Sequence, residues 1–61
     1  MKFKFIGKED SDFYTNEIYE ILQFNRLNKY FVIYVINMNN KMRVIPYRST
    51  DAFNDNWQYV K

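Results

Sequence analysis

Apolar and polar residues alternate with a period of two at the start of this chain. Met1-Lys2-Phe3-Lys4-Phe5 switches between apolar and charged at each step. That is the pattern of a half-buried strand, with Phe3 and Phe5 inward and Lys2 and Lys4 outward. Gly7, the single glycine, ends it. Residues 30–36 read Tyr-Phe-Val-Ile-Tyr-Val-Ile, all β-branched or aromatic. Such side chains lose rotamer freedom in a helix and pack well on a pleated surface. Their number suits a strand but makes only about two helical turns. A buried central strand is predicted there, with Phe31, Ile33 and Val35 as core residues.

Residues 17–24, Glu-Ile-Tyr-Glu-Ile-Leu-Gln-Phe, fit two readings. As a strand, Tyr19 and Ile21 share one face, and Leu22 and Phe24 take the other phase, which points to a bulge or a strongly bent strand. As a helix, Thr15 or Asn16 caps it and Ile18, Ile21 and Leu22 line one side. Residues 25–29 read as a turn. Residues 37–41 read as a second turn, with Asn39-Asn40 at the central positions of a type I′ hairpin. That register pairs Val35 with Val44 and Ile33 with Pro46 on an apolar core face. Ile36 then faces Arg43, Tyr34 faces Ile45 and Val32 faces Tyr47 on a second face; a one-residue slip inverts the assignment. Pro46 belongs near a strand end or on an edge. A short helical turn is predicted near residues 49–53, capped by Ser49 or Thr50, and Trp57-Gln58-Tyr59-Val60 closes the chain as a strand.

The length of 61 residues indicates a single domain over 1–61. Such a chain buries only about 60% of its unfolded surface. There is no cysteine or histidine to supply a disulfide or a zinc site. Six Phe, six Tyr and one Trp are therefore the candidate staple. No apolar stretch reaches the ~18 residues of a membrane span, and the N-terminus does not resemble a signal peptide, so a cytoplasmic location is expected.

In the order strand, long polar loop, strand, hairpin, short turn and last strand, the chain resembles an SH3-like barrel. More narrowly, it resembles the small SH3-like proteins of phages and prophages from low-GC Gram-positive bacteria. The matching residues are Phe5-Ile6-Gly7-Lys8-Glu9-Asp10 and Tyr14-Thr15-Asn16-Glu17-Ile18-Tyr19-Glu20-Ile21. Those proteins often carry a Thr-x-Gly-Lys-x-Tyr-x-Val pattern, where Asn16-Glu17 stands here in place of Gly-Lys. Ile45-Pro46-Tyr47 through Phe53 loosely resembles their Tyr-Pro-x-x-x-Phe ending. The resemblance implies a mainly β, small five-stranded barrel and tips residues 17–24 toward strand. It implies little about activity.

Catalysis has little support. The usual bases and thiol nucleophiles are missing, and Ser11, Thr15, Ser49 and Thr50 have no evident activating partner. Asp10-Ser11-Asp12 supplies oxygen ligands but lacks the glycine and the later glutamate of a calcium loop, so neither a metal nor a cofactor is expected. Charge is more telling than the net +2. Residues 9–20 hold five acids and no base, and residues 26–48 hold five bases and no acid. The plain reading is two solvated rims that attract each other. The sharper one is two binding surfaces of opposite sign.

Two candidate sets follow. Tyr34, Arg43, Tyr47 and Arg48 form a basic and aromatic set suited to a protein partner, or to single-stranded nucleic acid through stacking and phosphate neutralisation. Glu9, Asp10, Asp12, Tyr14 and Trp57 form an acidic-loop set such as an SH3-type groove offers a proline-rich basic peptide, although Trp57 also suits the core. The leading expectation is a non-enzymatic module that binds a protein partner of the host or phage, with an inhibitor role and a homodimer among its forms. The alternatives are a nucleic-acid-binding barrel and a nucleotide ligand held between subunits.

Overall fold

The computed structural model describes all 61 residues. The elements run β1 (Lys2–Phe5), β2 (Ile18–Leu27), β3 (Tyr30–Ile36), β4 (Met42–Tyr47), α1 (Thr50–Asn54) and β5 (Trp57–Tyr59). All strand pairings are antiparallel, in one sheet ordered β4-β3-β2-β1-β5. The fold is thus mainly β with one short helix, as expected. The sheet curls around its core, but β4 and β5 remain unpaired edges rather than closing a barrel.

Residues 17–24 belong to a strand. Its change of phase is a register shift between Ile21, which pairs with Val35, and Gln23, which pairs with Tyr34. The extra residue, Leu22, lets Ile21 and Phe24 both face the core although they are three positions apart. β2 continues to Leu27, so the turn expected at 25–29 shrinks to Asn28-Lys29. Asn28 supplies the positive φ, 56°, that such a two-residue hairpin needs at its first central position.

The β3–β4 hairpin corrects the expected register by one residue. Only Asn40 has positive φ, at 61°, whereas a type I′ turn requires it at Asn39 as well. Asn37 decides the alternative. Its backbone oxygen accepts from Asn40 N at 3.0 Å, and its Oδ1 accepts from Asn39 N and Lys41 N at 2.9 Å each. The loop becomes a three-residue turn ending in a left-handed residue. The pairs are then Val35 with Arg43, Ile33 with Ile45 and Phe31 with Tyr47, and on the opposite face Ile36 with Met42, Tyr34 with Val44 and Val32 with Pro46. Phe31, Ile33 and Val35 face the core as expected, but β4 is inverted relative to them.

Pro46 lies on the edge strand. Counting in steps of two from the bond between Asn37 N and Lys41 O, residue 46 falls at a non-bonded position, so its missing N–H faces the open edge rather than β3. Gly7 is needed for a different reason. A Cβ there would run into the Asn56 side chain and lie 2.9 Å from Phe5 Cζ. Ile6 N donates to Asn56 O at 2.8 Å, so the end of β1 is held against the α1–β5 connection. Asn16 has φ of 72°. Asn is among the few residues that enter this region readily, because its side chain bonds locally.

The core is Phe3, Phe5, Phe13, Ile21, Ile33, Val35, Phe53 and Trp57. Phe53 is its hub. Ser49 caps α1 by accepting from Ala52 N at 3.1 Å, and the turn carries Phe53 onto the concave side of the sheet. The ring meets one aromatic from each strand: Phe3 of β1 at 5.6 Å, Phe24 of β2 at 5.5 Å, Phe31 of β3 at 5.2 Å, Tyr47 of β4 at 5.9 Å and Trp57 of β5 at 6.5 Å. Replacing Phe53 by Ala is expected to cost about 3–5 kcal/mol in urea unfolding. A loss under ~1 kcal/mol would show that the five rings close the space without it.

Candidate interaction surface

The long loop between β1 and β2 is folded rather than loose. Asp10 Oδ1 accepts from the backbone N–H of Asp12 at 2.8 Å and of Phe13 at 3.0 Å. This turn drives Phe13 into the core, where it meets Phe5, Tyr19 and Trp57. It also aims Asp12 at the β3–β4 hairpin. Asp12 Oδ1 accepts from Arg43 Nη1 at 2.6 Å and from Asn37 Nδ2 at 2.8 Å, and Asp12 O accepts from Met38 N at 2.9 Å. The acidic loop and the basic hairpin are therefore partly spent on each other. Asn37, the one buried polar residue, anchors both the turn and this clasp. No three acidic side chains converge as metal ligands.

The residues of the acidic-loop set are placed apart. Trp57 is buried, and its Nε1 donates to Tyr47 Oη at 2.9 Å. Tyr14 is exposed, and its backbone N–H donates to Tyr19 Oη at 2.8 Å. Glu9 and Asp10 stay on the solvent side of the loop. What the loop presents outward is acid and Tyr14 without the tryptophan.

The basic and aromatic set is also divided, as a consequence of the corrected register. Arg43 and Tyr47 lie on the core side of the sheet, Arg43 at the rim against Asp12 and Tyr47 against Phe53 and Trp57. Tyr34 lies on the opposite face, paired with Val44. Arg48 follows the end of β4 and is exposed. The four do not form one surface.

The register assembles a different surface. The outer sides of β3 and β4 bring together Tyr30, Val32, Tyr34 and Ile36 with Met42, Val44 and Pro46, and β2 adds Leu27 opposite Tyr30. The remaining outer positions of β2 after its bulge, Gln23 and Asn25, are uncharged. No charged side chain lies among these positions. Val32 is buried outside the main core, while Leu27, Tyr30, Met42 and Val44 are each 44–55% exposed. Around Val32 lies an open groove of about 510 Å³, lined by Leu27, Asn28, Tyr30, Val32, Val44 and Pro46. The sequence carried a signal for this face in the alternation of Met42, Val44 and Pro46, which only the true register sets beside Val32, Tyr34 and Ile36.

No family model, curated protein or solved structure matches the chain.

Burial pushes the Tyr47 hydroxyl above the ordinary tyrosine value of 10.0; the Trp57 hydrogen bond opposes this and the nearby charge of Asp10 adds to it. A raised folded pKa stabilises the neutral form, so its contribution is complete below about 10 and is lost as pH rises through the folded value. In ultraviolet titration one of the six tyrosines is expected to ionise later than the others, and Tyr47→Phe should remove that late step. Retention of the step in the variant assigns it elsewhere. A second variant, Asp12→Ala, frees Arg43, Asn37 and the loop together, with an expected loss of about 1–2 kcal/mol in thermal or urea unfolding.

Proposed function

We propose that this chain is a non-enzymatic protein-binding module that meets its partner through the outer face of β2, β3 and β4. The observation that carries this reading is the uncharged, groove-bearing apolar face around Val32. Cores of protein–protein interfaces are depleted in charge and enriched in aromatic and apolar side chains, with a recess that accepts an anchoring residue. Scattered exposed apolar residues need no explanation, but a contiguous set on one side of a sheet does. The resemblance to small SH3-like proteins of phages and prophages adds the expectation that the partner is a host or phage protein in the cytoplasm, with inhibition of that protein as one outcome. No helix is long and apolar enough to cross a membrane. Nucleic-acid binding by Tyr34, Arg43, Tyr47 and Arg48 gains no support from a geometry that divides them between two faces.

The full chain immobilised on a support, exposed to an extract of its native host, is expected to retain a defined protein. Val44→Glu should reduce that retention about tenfold or more by setting a carboxylate in the groove wall, and Glu9→Lys in the distant loop should not. Retention that Val44→Glu leaves unchanged, or retention of nucleic acid alone, would count against the outer face as a protein-binding surface.

A further inference from the structure

We infer that the segment docking on the outer face is both acidic and apolar: its apolar side chains fill the groove around Val32 and its carboxylates meet Lys29 and Arg48. This rests on the reading of the outer face as the contact surface and adds the chemistry of what sits there. Lys29 is the second residue of the β2–β3 turn and follows Asn28, which lines one end of the groove. Arg48 follows Tyr47, and the pairing of Phe31 with Tyr47 places it across from Tyr30 at that same end. Two bases, one on the β2–β3 turn and one just past the end of β4, thus lie at one end of an uncharged recess. Lys41, at the base of the β3–β4 turn beyond Met42, is the next charge at the other end.

These bases are unspent. Arg43 is the only one of the five between residues 26 and 48 that makes an ion pair, and it does so on the core side with Asp12. Arg26, Lys29, Lys41 and Arg48 make none, and the same stretch holds no acid. No acid of the chain pairs with these four bases, although Glu9, Asp10 and Glu17 stay exposed on the β1–β2 loop. Asp12 pairs with Arg43, Glu20 with Lys2 and the amino group of Met1, and Asp51 and Asp55 flank Phe53 on the turn that packs against the concave side. The outer face is therefore an apolar floor beneath a positive rim. Such a rim steers and selects a partner of opposite sign, while the floor supplies most of the affinity.

Two other occupants fit less well. A second copy set face to face would bring this basic rim against itself, which like charges oppose. A nucleic acid would use Tyr30 and Tyr34 for stacking, but it would leave the aliphatic recess of Leu27, Val32, Val44 and Pro46 without a chemical counterpart.

The test is a titration of the isotopically labelled full chain, followed by amide resonances, with three short synthetic peptides. All share alternating leucines, and the intervening residues are glutamate, glutamine or lysine. The glutamate peptide is expected to move the amides of residues 27–32 and of Val44, to bind about tenfold more tightly than the glutamine peptide, and to weaken between ~50 and ~200 mM salt. The lysine peptide should leave the face unmoved. The double variant Lys29→Glu with Arg48→Glu, both exposed positions, should keep the spectrum of the folded protein and invert the preference toward the lysine peptide. Equal binding of the glutamine and glutamate peptides at this face would overturn the inference while leaving a charge-indifferent docking face in place. Absence of shifts with all three would overturn it too, and the Val44→Glu capture separately decides whether the face binds protein at all. Tighter binding of an oligothymidylate or of anionic vesicles at the same amides, or self-association mapped to them without peptide, would replace the acidic segment by that occupant.

Discussion

One ring holds the molecule together. Phe53 arrives on a single turn of helix and touches an aromatic from every strand. The reason lies in the sheet. A curled sheet whose edges do not bond to each other is open on its concave side, and with 61 residues there is no second layer to cover it. A ring held edge-on among other rings fills that side with little side-chain entropy to lose, and each such pair adds roughly 0.5–1.5 kcal/mol beyond burial. The aromatic excess of the composition is thus the substitute for disulfide, metal and size.

Asp12 provides the second constraint, and it has two consequences. Bonding to Arg43, Asn37 and the backbone of Met38, it pins the long loop to the tip of the hairpin, so the ends of the curled sheet cannot splay apart. It also consumes charge on the core side alone. Part of the charge segregation along the sequence therefore becomes a segregation in space: Asp12 and Arg43 neutralise each other at one rim, and Lys29, Lys41 and Arg48, which make no ion pair, lie at the ends of the apolar face.

Much of this was legible in the chain, and the parts that were not have two separate causes. The strand at 30–36, the inward Phe3 and Phe5, the Ser49 cap and the bulge in β2 are each written in local pattern or in a phase change. The hairpin register was not. Asn39 and Asn40 both tolerate positive φ, and what excludes the two-residue turn is the side chain of Asn37 closing a longer one. That single step reassigned Arg43 and Tyr47 to the core side and hid the outer face, because period-two patterns hold in either phase. Phe13 escaped for the opposite reason: it sits among acids without any periodicity, and only the backbone turn made by Asp10 carries it inward.

The position of β1 has a further consequence, for the order in which the fold can form. The hairpins that join β2, β3 and β4 close over short loops, but β1 lies between β2 and β5 and needs partners from both directions along the chain. Phe3 pairs with Tyr19 on one side and with Tyr59 on the other. The second contact spans nearly the whole sequence, and such closure sets the pace of folding in small β domains. During synthesis β1 must wait for β5 before its second edge is satisfied. Until then that edge is an unpaired row of backbone donors and acceptors, open to any passing strand.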